Sequence, residues 1–82
     1  MQEDPDVERL PEPRRTLVRM LLDLTFEKRS RGNGARANPH EVSSELFPLF
    51  GTLGGEFMWK DYRYVLTKNW AVLRFWVPPE KH

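Results

Sequence analysis

Eighty-two residues with no cysteine, 39% of them hydrophobic, and a net charge of +1 describe one small domain with no disulfide or cysteine-based metal site to brace its core. A chain this short buries only about 60–65% of its unfolded surface, so packing onto a partner or a second copy is an expectation from size alone. No apolar run approaches the roughly 18 residues that span a bilayer, Asp23 breaks the run at Met20–Leu24, and the acidic, proline-interrupted start does not read as a secretory signal.

The charge is segregated along the chain. Residues 1–12 hold five acids against Arg9, residues 13–36 hold seven bases against Asp23 and Glu27, and the remainder balances. The first block reads as a flexible acidic tail, leaving 13–82 as a single small α+β domain. Pro13 suits the first position of a helix. Leu17, Val18, Leu21, Leu22 and Leu24 then recur at helical spacing, with Arg15, Arg19, Asp23 and Glu27 opposite. Lys28 and Arg29 match the cation preference of a helix C-terminus and Gly32 can stop it, so the pattern predicts a helix over 14–29.

Residues 30–37 read as a loop, with Asn33-Gly34 favouring a tight turn. Asn38-Pro39-His40-Glu41 carries a capping signature: Asn38 as cap, Pro39 at the first helical position and Glu41 reaching back. It predicts a second helix over 39–47, ended by Pro48. Trp70–Val77 alternates as a strand, and its composition, with Arg74 as the one charge, implies cover on both faces. Residues 56–67 fit either a strand at Tyr62–Thr67, paired across a Lys68-Asn69 turn, or a third helix; aromatic and β-branched content favours the strand. The fold expected is two N-terminal helices packed on a small C-terminal antiparallel, aromatic-rich hairpin or sheet. The alternative is a winged-helix-like arrangement of three helices plus a strand, with 56–67 as the recognition helix.

Chemistry is sparse. Ser30, Ser43 and Ser44 lie in no nucleophile elbow, and His40 and His82 lack partners in sequence. Glu41 and Glu45 are neighbours on one helix face, more simply solvated than catalytic. The glycines at 51, 54 and 55 match no phosphate-binding fingerprint. The expectation is therefore a non-enzyme with no cofactor, metal or small-molecule substrate, located inside the cell in cytoplasm or nucleus.

Seven of the ten aromatic residues fall between Phe57 and Trp76. Trp59, Tyr62, Tyr64, Trp70 and Trp76 are more large rings than so small an interior should hide, and aromatics dominate binding hot spots. The reading that follows is a protein-binding module, a small subunit, adaptor or inhibitor, docking through these rings on a protein partner or on itself. The alternative is a small nucleic-acid-binding domain. It would use the basic loop of Lys28, Arg29, Arg31 and Arg36 for phosphate, with Lys60 and Arg63 among the sheet aromatics on which bases stack.

Overall fold

In the computed structural model, which describes residues 4–81, Asp4 caps a single helical turn, α1 (Pro5–Glu8), its side chain accepting from the Asp6 N–H at 2.9 Å. Val7 of this turn is 3% exposed and joins the core. The Lys60 ammonium reaches Asp4 at 2.6 Å and Asp6 at 3.3 Å, and Arg19 pairs with Glu8. The acidic segment read as a tail is thus laid against the domain from Asp4 onward; Met1–Glu3 and His82 lie outside the described residues.

Helix α2 (Arg14–Leu22) starts where expected and buries Leu17, Val18 and Leu21. Its first turn is capped by Glu12, whose Oε1 accepts the Thr16 N–H at 2.9 Å. The helix stops well short of Arg29, because the Asp23 and Leu24 N–H groups turn back to Met20 and Leu21 at 3.3 and 3.2 Å, tightening the last turn. Glu41 then fixes Thr25 by accepting its N–H at 2.7 Å and its hydroxyl at 3.2 Å. Beyond that anchor the chain is extended as β1 (Phe26–Lys28), so Lys28 and Arg29 serve a hairpin and not a helix end.

Strand β1 pairs with β2 (Ala35–Ala37) in antiparallel register, Phe26 opposite Ala37 and Lys28 opposite Ala35. Only glycine fits at position 34: its φ is +84°, and a Cβ there would stand 2.7 Å from both the Arg74 carbonyl oxygen and the Phe75 ring.

The expected helix over 39–47 does not form. Asn38 Oδ1 accepts from the His40 N–H at 3.0 Å, closing an Asx turn, and the Glu41 carboxylate is committed to Thr25. The helix lies further on, as α3 (Leu46–Thr52), and contains Pro48. Pro48 is its third residue, where an amide N–H would have no partner within the helix, so proline costs little there. Two glycine-assisted bonds end it, Gly54 N–H to Gly51 carbonyl at 3.2 Å and Gly55 N–H to Phe50 carbonyl at 2.8 Å, the Schellman arrangement.

Residues 56–66 form two strands joined by a turn and no helix, which removes the winged-helix alternative. Strands β3 (Glu56–Trp59), β4 (Tyr62–Leu66) and β5 (Val72–Trp76) complete a five-stranded antiparallel sheet in the order β1-β2-β5-β4-β3. Lys60, with φ +53°, opens the two-residue turn from β3 to β4, the sign that matches the twist of paired strands. The β4–β5 connection is longer than a Lys68-Asn69 turn. It spans 67–71, with Thr67 Oγ1 accepting from Asn69 and Ala71 at 3.3 and 3.1 Å. The fold is α+β. One sheet face, bearing Ala37, Phe57, Tyr64 and Val72, forms the core with Leu17, Val18, Leu21, Leu46 and Phe50 of the helices.

Candidate functional site

Alternation within strands decides which rings share a face. Trp59 pairs with Tyr62 across β3–β4, and Tyr62 with Trp76 across β4–β5, so the three lie in one row on the helix-bearing side of the sheet. The row sits at the end of the sheet where the strands meet the Lys60 turn. Trp59 and Tyr62 are half-buried against the core, whereas Trp76 is 63% exposed.

The next row holds Phe57, Tyr64, Arg74, Ala35 and Lys28. Tyr64, expected among the contact rings, is 2% exposed and belongs to the core. Burial pushes its phenol up from the ordinary value, opposed by a hydrogen bond with Arg74. The Arg74 guanidinium is held between two rings, 4.6 Å from the Phe26 centroid and 4.5 Å from that of Tyr62. The one charge on this apolar strand therefore sits in an aromatic sandwich, on the same face as Trp76.

Trp70 is not part of this row. It lies in the β4–β5 loop, six residues and roughly 20 Å of strand from Trp76, is 63% exposed, and has φ +61°. Its ring leans on Phe47 of α3 with centroids 5.0 Å apart. The five rings grouped by sequence thus divide into an open row of Trp59, Tyr62 and Trp76, a buried Tyr64 and a separate Trp70.

The basic candidates divide as well. Lys28, Arg29, Arg31 and Arg36 come together around the β1–β2 hairpin, lining an open cleft of about 500 Å³ with Ser30 and Asn38. Arg29 Nη1 donates to the Asn33 carbonyl at 3.1 Å. None of the four cations forms an ion pair among the described residues, although Glu27 also borders the cleft. Lys60 and Arg63 lie across the sheet, at the β3–β4 turn and on β4, two to four strand spacings or roughly 10–19 Å away. Lys60 is held by Asp4 and Asp6 and Arg63 by Glu56, and these hydrogen bonds raise the pKa of both cations.

His40 is exposed on its turn. Among the described residues no cluster of three or more His, Asp or Glu side chains could hold a metal ion, and no helix is long and apolar enough to cross a membrane. Sequence reasoning missed Phe26, placed in a helix, and the role of Arg74. Alternation along β4 and β5 carried the signal, since it puts Tyr62, Tyr64 and Arg74 on one face once the two strands are paired. The chain matches no family model, no curated protein and no solved structure.

Proposed function

We propose that this chain is a non-enzymatic protein-binding module that docks through the row of Trp59, Tyr62 and Trp76. The observation that carries this is the exposure of Trp76, a residue left 63% exposed beside a half-buried tyrosine and tryptophan. A large rigid ring with a fixed base beneath it is the usual anchor of an interface, and the adjacent Arg74 adds the other residue type enriched there. The test is affinity capture of partners with wild type and Trp76→Ala at about 50 and 500 mM salt. Binding should survive the higher salt and fall by at least ~10-fold in the variant, the scale of a hot-spot residue. Capture that Trp76→Ala leaves intact defeats this reading.

The cleft of Lys28, Arg29, Arg31 and Arg36 favours a second reading, a site for the phosphates of a nucleic acid. Four cations engaging a single strand should give log K against log salt a slope of about −3. Anisotropy of a labelled single-stranded oligonucleotide measures it. The Arg29→Ala, Arg31→Ala, Arg36→Ala triple variant should abolish the binding without unfolding the domain. A wild-type protein that does not bind at about 50 mM salt removes this second reading.

A further inference from the structure

Among the described residues no helix packs its apolar side chains on the opposite face of the sheet: α2, α3 and Val7 of α1 join the core on the side bearing Ala37, Phe57, Tyr64 and Val72. The open side is built of two rows. Across the sheet the first reads Glu27, Arg36, Leu73, Val65, Glu56. The second reads Arg29, Gly34, Phe75, Arg63, Met58, with the Arg29 N–H bonded to the Gly34 carbonyl at 3.2 Å and the Phe75 ring lying over Gly34. Its middle is apolar: Leu73, Val65 and Phe75 are half-buried and Met58 is 44% exposed.

We propose that this face is a self-association surface whose occupant is a second copy of the chain, laid face to face about a two-fold axis that runs across the strands. The charges choose the occupant and the axis. Acids stand at both outer ends of the first row, Glu27 and Glu56, and guanidiniums stand toward both ends of the second, Arg29 and Arg63. An axis across the strands lays the first row of one copy on the second row of the other. Glu27 then meets Arg29, Glu56 comes within reach of Arg63, and Leu73 lies on Phe75. An axis along the strands would instead set Glu27 on Glu56, like charge on like. With the axis across the strands, Arg36 lies over Gly34, one strand from the other copy's Arg29, so this orientation sets two kinds of opposite-charge contact against one of like charge. In the other orientation like charges (Glu27 on Glu56, Arg29 near Arg63) outnumber the one favourable contact of Arg36 with Glu56. Such a difference is how specificity between similar dockings arises.

The patch is small. Five strands at about 4.8 Å spacing and two rows of side chains offer on the order of 500 Å² per copy, below the roughly 800 Å² of a standard interface. The dimer is therefore weak and concentration-dependent, in the class of transient contacts. It does not rest on the Trp76 row, which lies on the other side of the sheet.

Sedimentation velocity from about 5 µM to 1 mM tests it. Wild type should shift from monomer to dimer, Trp76→Ala should behave as wild type, and Leu73→Glu should stay monomeric. The double variant Glu56→Arg, Arg63→Glu keeps the ion pair inside each copy and guards against an effect on folding. It should self-associate like wild type, yet associate with labelled wild type at least ~10-fold more weakly, because each mixed pair sets like charges together. A wild-type monomer at 1 mM overturns the proposal. So does equal association of wild type with the charge-swapped protein, or loss of the dimer in Trp76→Ala, or a different protein on this face with the chain monomeric throughout.

Discussion

The two faces of the sheet are made of the same five strands and have different fates. On the inner face, Phe57, Tyr64 and Val72 are sealed by Leu17, Val18 and Leu21 of α2 and by Leu46 and Phe50 of α3. On the outer face, Val65, Leu73 and Phe75 take no part in that core and stay half-exposed. Cations follow the same division. Arg74 on the inner face is held between Phe26 and Tyr62, whereas Arg63 on the outer face pairs with Glu56 in solvent. Alternation along a strand sorts residues into two sets. Which set becomes core is decided by where the helices land, and here the buried residues of all three helices land on one side.

The sharpest way to break this comparison is to truncate one apolar side chain on each side. Phe50 is fully buried under the inner face, and Phe50→Ala should cost about 3–5 kcal/mol, transfer and cavity effects together. Val65→Ala on the outer face should cost under about 1 kcal/mol, since the site stays wet and can relax. Chemical denaturation of both variants reads the difference. Equal losses, at dilution low enough to hold the chain monomeric, would mean that the outer face is covered after all.

A smaller effect is expected where the inner and outer faces meet the hairpin. Gly34→Ala forces a side chain onto a φ of +84° and into contact with the Arg74 carbonyl and the Phe75 ring. Left-handed strain and the displaced ring together should cost about 1–3 kcal/mol. The loss should appear as a lower melting temperature with the hydrogen-exchange protection of β1 and β2 reduced first. Uniform loss of protection throughout the sheet would mean that the hairpin has no local stability of its own.

Much of this division is legible in the sequence, and the rest depends on contacts between distant residues. The α+β class, the start of α2 and the β4–β5 pairing follow from periodicity and from the aromatic content of the last third. The end of α2 does not. Leu24 and Phe26 fit a helical stripe and a strand face equally well, and what separates them is the Thr25–Glu41 contact, sixteen residues apart. Asn38-Pro39 shows the same limit: its chemistry starts a helix or closes an Asx turn, and Glu41 is drawn to Thr25 and away from Asn38. At the candidate site, ring count correctly implied exposed indoles. Which rings join depends on register, so Tyr64 was placed with Trp76 although it lies one row further into the core. The cations failed similarly, because Lys60 finds Asp4 and Asp6 across more than fifty positions of sequence.

That last contrast sets the smallest prediction. The Lys60 turn is bound into the acidic α1, while the β1–β2 hairpin cations form no ion pair among the described residues, so of the two the former should shape the pH dependence of stability. Asp4 and Glu56 are held below their ordinary values of 3.8 and 4.5 by hydrogen bonds from Lys60 and Arg63, and Glu12 below 4.5 by those from Thr16. The unfolded chain therefore binds more protons than the folded one as pH falls through this region. Stability present above these ordinary values is lost as pH drops through the folded ones. At the alkaline end Lys60 is raised from 10.5 by Asp4 and Tyr64 from 10.0 by burial. Stability is then complete below those values and declines as pH rises through the folded ones. The melting temperature should be flat between about pH 5 and 9 and fall on both sides. Lys60→Met should make the acid limb shallower by freeing Asp4, and Arg31→Ala should leave it unchanged. A pH profile altered equally by the two substitutions would show that the hairpin cations are paired in solution, and the distinction between the two sides of the sheet would lose its electrostatic half.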